Sequence, residues 1–148
     1  MEKQTYTHGE YHISTDRDKL DISVVHDFLS NHSHWARGIP LETVKKSIEN
    51  SLNFGLFHAD KQIGLARVIT DYATIAYLGD VFVLPEYRGR GLSKWLMEAV
   101  MSYPEVQGLR RWVLLTSDAH GLYEKVGWKR IAHPERYMER HDPDVYRK

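Results

Sequence analysis

The chain has no cysteine, only five prolines and no net charge, with 20 Lys and Arg balanced by 20 Asp and Glu over 148 residues. Without cysteine there is no disulfide, no thiolate metal ligand and no cysteinyl acyl intermediate, and a reducing compartment fits. Balanced charge argues against a dedicated nucleic-acid binder, which needs a net basic field to neutralise phosphates. No apolar run approaches the length of about 18 residues that a helical bilayer span requires. The opening MEKQTYTHGEYHIS holds no apolar stretch of signal-peptide type, so a cytoplasmic protein with no membrane partner is expected. Repeats, low-complexity tracts and long Pro/Gly/Ser linkers are also missing. Residues 1–148 are therefore expected to form a single domain, able to bury roughly two thirds of the unfolded chain's surface.

What is present alternates between two periods. Residues 11–14 suit a short first strand. Asp21 offers an N-cap ahead of Ile22, Val25 and Leu29 at helical spacing, and Pro40 opens a second helix with Leu41, Val44, Ile48 and Leu52 on one face. Residues 53–59 and 62–70 read as two strands joined at Asp60 and Lys61. Residues 75–84 (IAYLGDVFVL) form a nearly unbroken apolar run, suited to a central strand buried on both faces. Pro85 stops it. After EYRGRG comes a helix with Leu92, Leu96, Ala99 and Tyr103 in one stripe, ended by Pro104. Residues 111–116 predict another strand, 118–126 a short helix stopped by Gly127, and 128–132 and 136–139 two final strands. The order β-α-α-β-β-β-α-β-α-β-β predicts an α/β (α+β) fold with a mixed sheet flanked by helices.

The sharpest local feature is Arg88-Gly89-Arg90-Gly91-Leu92-Ser93, between a buried strand and a helix. Glycines permit a tight turn and close approach of a ligand to the main chain. A helix N-terminus with free N–H groups favours an anion, and two arginines add charge. A phosphate or pyrophosphate fits there, although a strand-to-helix turn with solvated arginines gives the same pattern. The Walker pattern GxxxxGK[ST] is absent, and the dinucleotide pattern GxGxxG fails because position 94 is Lys. An ATP- or NAD-binding module is thereby disfavoured. The pattern Arg/Gln-x-x-Gly-x-Gly/Ala fits at Arg88, Gly91 and Ser93, with serine in the last small position.

At this point the sequence resembles the GNAT family of N-acetyltransferases. VFVLPEYRGRGLSKWLMEAV at 81–100 is similar to that family's acetyl-CoA motif, and DAHGLYEKVGWKR at 118–130 to its C-terminal segment A-x-x-x-Y-x-x-x-G-F, here Ala119, Tyr123, Gly127 and Trp128. The resemblance covers most of the chain and implies a GNAT-like, mostly antiparallel sheet. It implies that main-chain groups of Val81 and Val83 pair with the pantetheine arm of acetyl-CoA, as an added strand would. It also implies that N–H groups from Arg88, Gly89, Arg90, Gly91, Leu92 and Ser93 hold the pyrophosphate. Thr116 stands where many relatives carry an asparagine that contacts the pantetheine.

Acetyl transfer to an amine needs a neutral nucleophile at the thioester, stabilisation of the developing oxyanion and a proton for the leaving thiolate. Without cysteine, direct attack in a ternary complex is the expected route. Tyr123 is the candidate general acid, since the resemblance implies its hydroxyl lies near the CoA sulfur; by itself it reads equally as a tyrosine packing helix on sheet. Asp80 is the only charge in the run 75–84. A carboxylate there must be paired or functional, which leaves two readings: a general base for an ammonium substrate, or an ion pair with Arg67 or another cation on a neighbouring strand. The carbonyl-polarising group is expected to be a main-chain N–H near Val81 or Phe82.

Nine histidines include the pairs His32/His34 and His8/His12, but neither is completed into a metal set, and no metal is expected. His120, inside the C-terminal motif, is a candidate for substrate binding or proton relay. Trp35 lies in a loop that lines the acceptor site in relatives, and it and Tyr77 are candidate substrate contacts, although either could simply close the core. The expected activity is acetyl-CoA-dependent N-acetyl transfer to a small or lysine-like primary amine. A non-catalytic acyl-CoA sensor of the same fold is the alternative. A homodimer pairing C-terminal strands across a twofold axis fits the pattern.

Overall fold

A computed structural model describes residues 2–147. Six strands form one sheet in sequence order: β1 (Thr5–His8), β2 (Tyr11–Ser14), β3 (Leu52–His58), β4 (Lys61–Thr70), β5 (Ile75–Val83) and β6 (Arg111–Leu114). All neighbours are antiparallel except β5 and β6, which run parallel. Parallel neighbours need a crossover, and α3 (Leu92–Ser102) supplies it.

Helices cover both faces. On one, α1 (Ile22–Asp27) and α2 (Leu41–Glu49) bury Val25, Val44 and Ile48 against Leu65 and Phe82. On the other, α3 and α4 (His120–Glu124) bury Leu92, Leu96, Met97, Val100 and Tyr123 against Phe54, Ile63, Val68 and Leu78. The local signals act as expected in several places. Asp21 Oδ1 accepts the N–H groups of Ser23 and Val24 at 3.1 and 3.3 Å, capping α1. Gly127 takes φ +97° just past α4. Leu92, Leu96, Ala99 and Tyr103 are all buried.

Several expectations change. β1 was not foreseen: TYTH is polar, and its hairpin rests on Gly9 at φ +61°. Leu52 does not extend the stripe of α2 but begins β3, and Leu41 is exposed. The strand expected over 111–116 ends at Leu114, and the helix expected over 118–126 is limited to His120–Glu124. Finally, residues 128–132 and 136–139 are not strands. Trp128 turns inward, its ring 6.0 Å from Trp112 and 6.1 Å from Tyr123, which stops alternation at the outset. Pro134, which has no N–H to donate, then starts a single 3₁₀ turn, and residues 129–145 are exposed throughout.

Two irregularities position the site. Opposite Ala66, β5 places two residues, Asp80 and Val81, where the ladder allows one; Asp80 takes φ +52°, a left-handed conformation that Asp tolerates better than most residues. In addition, β6 ends at Leu114 opposite Leu78, whereas β5 continues to Val83. The two parallel strands part at that point. Gly64 lets β4 stay close to the far end of β5, since a Cβ there would lie 2.6 Å from the Phe82 carbonyl oxygen.

Candidate active site

Beyond Leu78, the side of β5 that faced β6 has no strand partner among the described residues. Alternation decides which groups point into the gap. Leu84 N–H donates to Ile63 O at 2.8 Å, toward β4, so the main chain of Val83 faces the opposite way. Val81, two residues earlier, shares that orientation next to the bulge. Phe82 alternates with them: it is in register with Leu65, and its ring stacks on Phe28 with centroids 4.1 Å apart. The open edge of β5 therefore offers main-chain groups at Val81 and Val83 that no strand pairs among the described residues.

This edge leads through the Pro85–Tyr87 turn into the glycine-rich loop. Gly89 and Gly91 take φ +80° and +77°, a region that L side chains avoid. Gly91 is the N-cap of α3, and no side chain caps the helix. Its first N–H groups, including those of Leu92 and Ser93, thus remain available to an anion. The arginine side chains are turned onto the protein. Arg88 Nε donates to Val83 O at 2.9 Å. Arg90 donates to Tyr11 Oη at 2.7 Å and to Glu86 O at 3.2 Å, and its guanidinium lies 5.2 Å from the Tyr87 ring centroid. Tyr87 and Tyr11 in turn meet His58, which is also 3.0 Å from Glu10. What the loop presents to a ligand is its shape and its main chain, rather than a free pair of guanidinium groups.

On the α1–α2 face, the bulge gathers several of the candidate side chains. Asp80 Oδ2 accepts from Arg67 Nε at 2.7 Å, and Oδ1 from Trp35 Nε1 at 2.9 Å. Arg67 also donates to Ser51 Oγ at 3.0 Å. The ion-pair reading of Asp80 is thus realised in geometry, with side chains only 16% (Arg67) and 11% (Asp80) exposed. The carboxylate retains acceptor capacity, because two oxygens offer about four lone-pair sites and two are taken. Tyr77 is half-buried nearby. Burial first, then the Asp80 charge, push its hydroxyl above the usual phenol range, opposed by Arg67. Trp35 remains 46% exposed, presenting a face to solvent beside the carboxylate.

Thr116, His120 and Tyr123 line a second wall: a cleft of about 920 Å³ running along β6 and the segment that follows α4. Thr116 Oγ1 accepts the Ala119 N–H at 3.0 Å, forming the turn into α4. Burial raises the Tyr123 hydroxyl above the ordinary phenol value, so it is protonated at neutral pH. It has no hydrogen-bond partner among the described residues, and neither does His120. The structure therefore brings together Trp35, Tyr77 and Asp80 in one group and Thr116, His120 and Tyr123 in another. No hydrogen bond or ring contact joins the two.

Sequence reasoning missed Ser51, Tyr11, Tyr87 and His58. Tyr11 and Arg90 are 79 positions apart, and no local pattern announces such a pair. Among the described residues, no group of three or more His, Asp or Glu side chains could hold a metal ion, and no helix is long and apolar enough to cross a membrane.

Comparison with known proteins agrees with this architecture. The model of the acetyltransferase (GNAT) domain matches residues 50–130. A Gibberella zeae protein bearing an acetyltransferase name is 32% identical over 145 residues, covering 82% of this chain and 80% of its own. A crystal structure from Xanthomonas campestris pv. campestris, described as belonging to the GNAT family, is 54% identical with a TM-score of 0.91, covering 93% of this chain and 97% of that one. The fold is also shared with a Clostridium acetobutylicum protein crystallised with acetyl-CoA, at 12% identity and TM-score 0.62, covering 88% of this chain and 94% of that one. The chain is an acetyltransferase by fold and relationship. It belongs to the GNAT family.

Proposed function

We propose that the protein transfers an acetyl group from acetyl-CoA to a primary amine by direct attack in a ternary complex. The observation that carries this reading is the open edge of β5, which runs from the Asp80 bulge into a loop with two left-handed glycines and an uncapped helix N-terminus. Such an edge pairs with an extended amide-bearing arm, and such a loop receives its pyrophosphate. Bound there, acetyl-CoA supplies an activated thioester. The protein's own groups do the rest: the Val81 N–H polarises the acyl carbonyl, Asp80 receives the proton of the acceptor ammonium, and Tyr123 gives its proton to the departing sulfur. Trp35, Tyr77 and the Arg67-paired Asp80 form the acceptor wall, aromatic with a carboxylate that still has acceptor capacity, which suits a small or lysine-like cationic amine. His120 lies on the Tyr123 wall, within the substrate channel of this reading.

Thermal unfolding with ligands tests the first half of the reading. A ligand that binds only the folded chain at about 100 times its Kd adds roughly 2.7 kcal/mol, or about 5–10 °C in Tm for a domain of this size. Acetyl-CoA is expected to produce that shift, and ATP and NAD none. A shift with ATP or NAD but not with CoA species contradicts the proposal.

A further inference from the structure

Arg88 donates from its side chain to a carbonyl that the proposed reading reserves for the donor substrate. Val83 O faces away from β4, β6 has already ended opposite Leu78, and Arg88 Nε at 2.9 Å is its only partner among the described residues. Five residues along the chain, the same arginine opens the loop that cradles the pyrophosphate. We propose that Arg88 is a placeholder: it occupies the Val83 carbonyl in the free protein, yields it to the pantetheine amide, and pairs instead with the pyrophosphate. This inference rests on the acetyl-CoA reading and deepens it.

The surroundings allow such an exchange at Arg88 but not at Arg90. Arg88 is solvent-exposed and, among the described residues, has no carboxylate partner and is held by one bond to a neutral carbonyl. Arg90 is anchored by Tyr11, Glu86 and Tyr87 together. A guanidinium bonded to a phosphate forms shorter, stronger, often bidentate hydrogen bonds than one bonded to an amide carbonyl. The exchange is downhill only when the donor carries a pyrophosphate. Arg88 would then discriminate: full acetyl-CoA compensates the broken bond, whereas acetyl-pantetheine breaks it and gives nothing back.

Binding of acetyl-CoA and of acetyl-pantetheine to the wild type, Arg88→Met and Arg88→Gln tests this, by calorimetry and by competition. Arg88→Met removes both charge and donor. It is expected to weaken acetyl-CoA about tenfold or more and to tighten acetyl-pantetheine about threefold, the worth of one modest competing hydrogen bond. Arg88→Gln keeps a donor for Val83 O without the charge, so acetyl-CoA weakens while acetyl-pantetheine stays as in the wild type. Tm values without ligand establish that both variants fold. If Arg88→Met weakens both donors alike, or fails to bind acetyl-pantetheine more tightly than the wild type, the exchange is overturned while the acetyl-CoA reading stands. A wild type that binds neither donor overturns that reading and this inference with it.

Discussion

Tyr123→Phe should lower kcat by about a hundredfold or more, the usual worth of a positioned general acid, while acetyl-CoA binds with nearly unchanged Kd. Three observations lead there. The residue is buried on α4 against the sheet, its hydroxyl has no partner among the described residues, and burial keeps it protonated. A raised phenol pKa means the proton is retained as pH rises through the neutral range and is lost only above the ordinary value near 10. Any alkaline decline of kcat below that range therefore belongs to another group. Phenylalanine preserves the ring contact with Trp128 and removes only the hydroxyl group. A single-turnover measurement at saturating substrates separates the chemistry from product release. Unchanged turnover would reduce Tyr123 to a packing residue.

The second large effect is expected at Asp80. Asp80→Asn suits the left-handed backbone, yet removes the charge that balances Arg67 and leaves one amide oxygen where the Arg67 and Trp35 donors each had their own acceptor. For a fully buried pair such a loss costs 3–5 kcal/mol; with partial exposure on both side chains, roughly 2–3 kcal/mol is expected here. Turnover should fall about a hundredfold, since the base has gone. Denaturant unfolding and kinetics of the double variant Asp80→Asn/Arg67→Met separate catalysis from architecture. The neutral pair should recover most of the stability but little of the turnover. If turnover returns with stability, Asp80 serves to pin the bulge and the Trp35 loop, and the base lies elsewhere.

These two residues also mark how far the sequence can be read. The run 75–84 declares itself a buried strand because nearly every residue is apolar, and Asp80 then stands out as a cost that demands a partner. Arg67 was legible as that partner. The bulge that turns both Asp80 and Phe82 toward the α1–α2 face was not, because a left-handed Asp leaves no periodic trace. The loop 88–93 was legible through its glycines, whose conformations are as expected. The destinations of Arg88 and Arg90 were not, since each depends on a surface assembled from strands distant in sequence. The C-terminal strands failed for a related reason. Residues 128–132 and 136–139 do not take the open outer edge of β6, because Trp128 packs its ring on Trp112 and Tyr123 at the start of the segment.

The central claim, that this fold moves an acetyl group from acetyl-CoA to an amine, is tested most directly by thiol release. Purified protein, acetyl-CoA and a panel of primary amines, polyamines, amino acids, aminoglycosides and lysine peptides would be followed by a thiol reagent, with mass spectrometry of the acceptor. The account predicts CoA release well above the hydrolytic background for at least one cationic amine, matched by equimolar N-acetylated product and lowered about a hundredfold or more in Tyr123→Phe. Acetyl-CoA that binds and stabilises the chain, yet releases no thiol with any amine, would contradict it and leave a sensor of acyl-CoA in its place.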